Sequence, residues 1–225
     1  MSAPAPPWSH LRAVLFDLDG TLIDSAQDLG RAANAMRVAR GLAPLPMARY
    51  RPHGGSGARG MLAQAFATAP GRPDYDALKQ EFLDRYEGLM YDNTRAFAGI
   101  EAELAGLAAA GLAWGIVTNK AERFALPLVA ALRLGAATVV CGDTTACAKP
   151  HPAPLREAAR RLGVAPRACL YVGDDERDVI AGRAAGMATA VAAWGYLGAE
   201  ADIGRWNADA QLRAPGSLLK LLGLA

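Results

Sequence analysis

Two rhythms of apolar and polar positions alternate along this chain. Residues 13–16, Ala-Val-Leu-Phe, form an unbroken apolar run, the pattern of a strand buried on both faces of a parallel sheet. After Ser25 the period lengthens: Leu29, Ala32, Ala33 and Met36 fall on one face of a helix that Gly41 and Pro44 bring to an end. Residues 57–68 and 74–90 predict two further amphipathic helices, parted by Pro70, Gly71 and Pro73. Between residues 24 and 93 nothing reads as a strand, although a first strand ordinarily gains a sheet neighbour soon afterwards. A helical insertion accounts for the gap. From residue 101 the pattern predicts helices at 101–110, 121–134, 152–162 and 176–185, alternating with strands at 112–117, 137–141, 169–172 and 188–191. An edge strand at 208–212 and a closing helix at 218–224 complete the reading.

Strands alternating with helices of this length predict an α/β fold, a Rossmann-like parallel sheet with right-handed crossovers and helices on both faces. The expected division is a core of residues 1–24 and 94–225 and an inserted all-α helical cap of residues 25–93. Hinges are expected near Asp24 and Ser25 and over residues 94–99.

In such a sheet every strand ends at the same edge, and polar residues stand at those ends. Asp17 and Asp19 follow the first apolar run at a spacing that turns both to one side, with Leu18 turned inward. Gly20 permits a tight turn or close backbone approach, and Thr21 adds a hydroxyl. Two crowded carboxylates repel, and a hard divalent ion such as Mg2+, which binds a few carboxylate or carbonyl oxygens with waters and a phosphate, relieves the repulsion. Thr118, Asn119 and Lys120 follow the second strand of the core, where a hydroxyl and main-chain N–H groups can grip a phosphate oxygen. Lys149 lies in a loop stiffened by Pro150 and Pro152, and Gly173 opens a second acidic edge with Asp174, Asp175 and Asp178. Singly each has a plain explanation, as a helix cap, a loop charge or a surface acid. Together, in sequence at successive strand ends, they fall where a sheet gathers them into one crevice.

Composition narrows the partners. With 52% hydrophobic and 20% charged residues, the 225-residue chain is globular in character. Its 24 basic and 22 acidic side chains leave a net charge of +2, with no basic stripe, so nucleic acid is not an expected partner. No apolar run reaches transmembrane length, and residues 1–10 read as a short Pro- and Ala-rich tail rather than a signal peptide. Cys141, Cys147 and Cys169 form neither a C-x-x-C pair nor an even set, so a reducing cytoplasm is the expected setting. The sequence specifies no oligomeric state.

Gly55, Gly57 and Gly60 spell G-x-G-x-x-G, but residues 46–53 before them carry Pro46 and Pro52 and are no strand, so the dinucleotide-binding context is missing. The same stretch, residues 53–60, is instead the expected specificity loop of the cap, with Gly55, Ser56 and Arg59 as candidate substrate contacts.

Asp17-Leu-Asp19-Gly-Thr21, Thr118-Asn119, Lys149-Pro150 and Gly173-Asp174 with Asp178 resemble, in order and spacing, the four motifs of the haloacid dehalogenase (HAD) superfamily of phosphatases. The helical insertion is similar to that family's C1-type cap. The resemblance implies a Mg2+-dependent phosphomonoesterase acting on a small phosphorylated metabolite. Asp17 would be the nucleophile forming an aspartyl-phosphate, and Asp19 the acid and base. Thr118 and Lys149 would hold phosphate oxygens, with Thr21 and Asn119 as further contacts. Mg2+ would be bound by the Asp17 carboxylate, the Asp19 main-chain carbonyl and Asp174, with Asp175 and Asp178 around them. Where the family often has proline stands Ala98, which alters hinge stiffness.

Within the superfamily, DGTLIDS and the cap arrangement resemble phosphoglycolate phosphatases. Residues 114–120, 54–59 and 173–178 also look like the N-acetylmuramic acid 6-phosphate phosphatases of cell-wall recycling. A β-phosphoglucomutase-like mutase shares the core but needs a cap that excludes water, whereas 2-haloacid dehalogenases do not need Asp19. A non-catalytic metabolite-binding module, the reading from another class, predicts loss of Asp17, Asp19 or Lys149, and all three are present.

Overall fold

The computed structural model describes residues 8–198 and 201–224, so most of the Pro- and Ala-rich N-terminal stretch, residues 1–7, lies outside the described residues. Strand β1 (Ala13–Phe16) is the centre of the sheet, and its side chains alternate between two cores. Val14 and Phe16 enter one cluster with Trp114, Leu170 and Val172, and Ala13 and Leu15 enter the other with Leu155, Ala158 and Tyr171. Burial on both faces is why the run is apolar without alternation.

β4 (Ala113–Val117) and β6 (Cys169–Gly173) pair with β1 on either side, Phe16 lying opposite both Ile116 and Val172. β5 (Val139–Val140), β7 (Ala188–Ala192) and β8 (Ala210–Leu212) extend the sheet in the order β5-β4-β1-β6-β7-β8, every pair parallel. From β1 the chain moves to β4 and β5 on one side, then crosses back to β6 on the other. Such a reversal opens a crevice beyond the carboxyl ends of the strands, where α/β sheets bind ligands. Connections run through α5 (Ile100–Ala109), α6 (Glu122–Ala131), α7 (Ala153–Leu162) and α8 (Glu176–Ala185), and α9 (Ser217–Leu222) closes the chain.

Every element between residues 26 and 87 is helical, as the period indicates. α1 (Ala26–Val38), α3 (Gly57–Phe66) and α4 (Tyr75–Glu87) bury Leu29, Ala33 and Met36 against Met61, Leu62 and Phe82. α2 (Met47–Tyr50) and a 3-10 turn over Arg51–Ser56 precede α3, in a segment whose prolines mask any period. Both expected hinge positions carry a strand that the sequence pattern does not reveal: β2 (Ile23–Asp24) pairs antiparallel with β3 (Arg95–Ala96). Two residues are too few to display a period of two. Among the described residues no helix is long and apolar enough to cross a membrane.

Candidate active site

The crevice at the carboxyl ends of β1, β4 and β6 is built around Lys149, a residue 5% exposed. Its Nζ lies 2.9 Å from Asp17 Oδ1 and donates to Asp178 Oδ1 at 2.8 Å, the Val117 carbonyl at 3.0 Å and Tyr171 Oη at 2.8 Å. Its main chain is fixed from the next strand end: Asn119 Nδ2 donates to the Lys149 carbonyl and Asn119 Oδ1 accepts from the Lys149 N–H, both at 2.9 Å. Asn119 therefore acts first on Lys149, although it also lines the crevice. Thr118, buried beside it, accepts the Lys120 N–H on its hydroxyl at 3.1 Å.

Asp19 belongs to a second ion pair. Lys120 Nζ donates to both carboxylate oxygens, at 3.0 and 3.1 Å, and lies 4.8 Å from the ring centre of Tyr86 on α4. Ser25 Oγ donates to Asp19 Oδ1 at 2.5 Å. The two aspartates, two residues apart, thus face different lysines.

Asp174 completes the acidic edge and is 1% exposed. Thr21 Oγ1 donates to its Oδ1 at 3.1 Å and the Tyr196 N–H to its Oδ2 at 2.7 Å. Gly20 turns with φ +84°, and a Cβ there would fall 2.2 Å from Asp174 Oδ2, so only glycine lets the first loop approach this closely. Asp175 turns away to cap α8, accepting from the Arg177 N–H and pairing with its guanidinium. Asp178 accepts from the Asp175 N–H as well as from Lys149.

Oxygens of Asp17, Asp174 and Asp178 lie within 4.8 Å of one another. Burial, with Asp178 and Asp19 adding to it against the opposing pull of Lys149, pushes the Asp17 carboxyl up to about 7. Burial, then the charges of Asp17 and Asp178, holds the Asp174 carboxyl well above its ordinary range. Three converging carboxylates exceed what one lysine neutralises, and their hard oxygen donors fit a divalent cation of the Mg2+ type.

Arg177 closes the crevice by donating from Nη2 to the Gly55 carbonyl at 2.7 Å. The space left, about 20 Å³, is lined by Asp17, Gly55, Asn119, Lys149, Asp175 and Arg177 among others. Of the candidate loop contacts, Gly55 reaches it, Ser56 stands half-buried before α3, and Arg59 is exposed on α3 and does not line it. Thr21 is fully buried against Asp174. A larger cavity of about 520 Å³ flanks the hinge ribbon instead, lined by Asp24, Met47, Arg51, Arg95 and Phe97 among others, away from the carboxylates.

The family model for haloacid dehalogenase-like hydrolases matches residues 11–186. The chain belongs to that family. Among its relatives is a protein named phosphoglycolate phosphatase in Xanthomonas campestris pv. campestris, 48% identical over 209 residues, covering 92% of this chain and 94% of that one. Another is named N-acetylmuramic acid 6-phosphate phosphatase in Pseudomonas aeruginosa, 43% identical over 220 residues and covering 96% of both chains. A haloacid dehalogenase-like hydrolase of Streptococcus pneumoniae shares the fold with a TM-score of 0.79 at 23% identity, over 94% of this chain and 98% of that one.

Four residues of this haloacid dehalogenase-like site escape a sequence reading. Lys120 reads only as part of a polar strand end, and Arg177 is hidden in an acidic string. Tyr171 reads as a core aromatic of β6, and Tyr196 lies in a loop without a period. Asp178 reads from the sequence as a surface acid or a neighbour of the metal ligands, and the structure buries it to 2% exposure against Lys149.

Proposed function

We propose that this chain is a Mg2+-dependent phosphomonoesterase that cleaves a small phosphorylated metabolite through an aspartyl-phosphate on Asp17, phosphoglycolate phosphatase-like in substrate. The observation that carries the reading is the pairing of Asp17 with Lys149 at 2.9 Å, at the mouth of a crevice where carboxylates converge. Identity of 48% to a relative named phosphoglycolate phosphatase supports the substrate class.

Asp17 attacks phosphorus, the ester P–O bond breaks, and the leaving alkoxide takes a proton from the Asp19 carboxyl. Asp19 then removes a proton from water as that water attacks the aspartyl-phosphate, releasing orthophosphate and restoring Asp17. In the geometry described Lys120 and Ser25 both donate to the Asp19 side-chain oxygens, an arrangement that suits the second step; delivering a proton in the first requires Asp19 to turn from Lys120. Lys149 offsets charge on the phosphoryl oxygens and aims Asp17, and the Thr118 hydroxyl offers a phosphate contact. The Asp17 carboxylate, the Asp19 main-chain carbonyl and Asp174 would hold Mg2+, which would supply the charge neutralisation an anionic nucleophile needs to approach an anionic phosphoryl group. Residues 25–93 act as a cap over the core of residues 1–24 and 94–225, and Gly55 at the crevice excludes water when the two are closed. Three free cysteines, two of them buried, accord with work in the cytoplasm.

A second reading, an N-acetylmuramic acid 6-phosphate phosphatase, is favoured by the 43% identity to the Pseudomonas aeruginosa protein over 96% of both chains. A screen of phosphorylated metabolites for orthophosphate release, with 2-phosphoglycolate and N-acetylmuramic acid 6-phosphate among them, separates the two. The first reading expects the highest kcat/KM on 2-phosphoglycolate. No release from any phosphomonoester with Mg2+ present defeats both.

A further inference from the structure

The loop after β7 brings one residue against both the acidic edge and the helical block. Gly195 has room only for hydrogen: a Cβ there would sit 2.2 Å from the Asp174 Cβ. That close passage lets the next residue, Tyr196, donate its N–H to Asp174 Oδ2 at 2.7 Å. The Tyr196 side chain, in a residue 5% exposed, runs the other way. Its Oη accepts from the Ser25 N–H at 2.8 Å and the Ala26 N–H at 3.0 Å, and donates to Asp24 Oδ1 at 3.2 Å. The ring packs against Gly54, where a Cβ would fall 2.6 Å from two ring carbons, and lies 5.3 Å beneath the Arg51 guanidinium.

Ser25 is the residue expected to cap α1, yet its side chain makes no cap bond, because its hydroxyl serves Asp19. The phenol of Tyr196, 171 residues further along the chain, takes over that task. Asp24, Ser25, Ala26, Arg51 and Gly54, spread over the hinge and the first turns of the helical block, therefore meet on one side chain whose own main chain holds Asp174.

We propose that Tyr196 is a positioning residue that couples closure of the helical block to the setting of Asp174 for its cation. This rests on the reading of Asp174 as a Mg2+ ligand. A cation that draws Asp174 into place fixes the Tyr196 main chain, which holds the phenol under Gly54 and at the start of α1. By linkage, closing the block tightens the hold on the cation. Arg177 on α8, bonded to the Gly55 carbonyl, reinforces the same closure.

The test is hydrogen exchange of the peptides spanning residues 22–30 and 50–57 in the intact chain, with and without Mg2+, alongside calorimetric titration of Mg2+. Tyr196→Phe keeps the ring and the N–H to Asp174 and deletes only the hydroxyl. In the wild type, Mg2+ slows exchange of both segments by about tenfold or more. In Tyr196→Phe Mg2+ still binds, but the slowing falls to about twofold or less. Gly54→Ala, which pushes a methyl group into the Tyr196 ring from the other partner, produces the same loss, and the double variant is no worse than either single one. Equal protection by Mg2+ in wild type and Tyr196→Phe overturns the coupling, as does Mg2+ binding to the wild type that leaves both segments unchanged. Failure of Mg2+ to bind the wild type removes the reading of Asp174 beneath it, and the coupling falls with it.

Discussion

Lys149 and Asp17 meet at 2.9 Å although 132 positions separate them, and the same ammonium is shared with Asp178 at 2.8 Å. Removing the lysine leaves the half-buried Asp17 and the buried Asp178 without their shared counter-charge. Lys149→Met is expected to destabilise the fold by about 3–5 kcal/mol, read from urea unfolding, and to lower phosphate release by about 10²-fold or more. Combining it with Asp17→Asn should cost less stability than the sum of the two, since the second change removes one of the stranded charges.

Asp17→Asn alone would delete the proposed nucleophile while keeping its shape. Orthophosphate release should fall by about 10⁴-fold or more. Because the carboxyl it replaces is buried and pushed up to about 7, thermal stability without Mg2+ should hold or rise. Turnover that survives this variant removes Asp17 from the chemistry.

Mg2+ should stabilise the folded chain by relieving the crowding of Asp17, Asp174 and Asp178. At about 100 times its dissociation constant the gain is about 2.7 kcal/mol, visible as a higher melting temperature that EDTA reverses. EDTA should also abolish phosphate release. A melting temperature indifferent to both reagents contradicts the cation site.

Gly20→Ala tests the close approach of the first loop to Asp174. The added methyl group meets Asp174 Oδ2 at 2.2 Å, on backbone at φ +84° that side chains disfavour. The expected result is a loss of about 1–3 kcal/mol of stability with a larger proportional loss of Mg2+ affinity, measured by calorimetry. Unchanged Mg2+ affinity would mean Asp174 is not held by this contact.

Away from the site, Glu103 on α5 is 1% exposed, with Oε2 accepting from the Gly216 and Leu218 N–H groups and Oε1 unpartnered. Burial raises its carboxyl above the ordinary 4.5, only partly opposed by those two N–H groups. The folded chain thus holds this proton more tightly than the unfolded one. The stabilisation is full below the ordinary value and is lost as pH rises through the raised one. Glu103→Gln should flatten that part of the pH profile of urea unfolding; an unaltered profile assigns the dependence elsewhere.

The sheet is readable from the chain because each buried strand is an apolar run closed by polar residues, and those polar residues line the candidate site. Asp17, Lys149 and Asp174 are legible for that reason: their surroundings in sequence are as unusual for a core as their surroundings in space. What escapes has a physical cause in each case. β2 and β3 are held by pairing across the hinge rather than by any pattern of their own. Arg59 looks like the guanidinium of the specificity loop, but helix α3 turns it to solvent and Arg177 stands at the crevice instead. Tyr196 acts through its main chain and its hydroxyl in opposite directions, and no spacing rule records that.

The ribbon of Ile23–Asp24 with Arg95–Ala96 brings the two ends of the helical block side by side. Entry and exit therefore coincide, and the block hangs on the sheet at a single doorway. A short connection from residue 24 to residue 95 spans the gap without asking any strand of the main sheet to move. The block is in this sense a cassette: both of its ends share one ribbon, and the sheet that carries the reactive edge takes no strand from it.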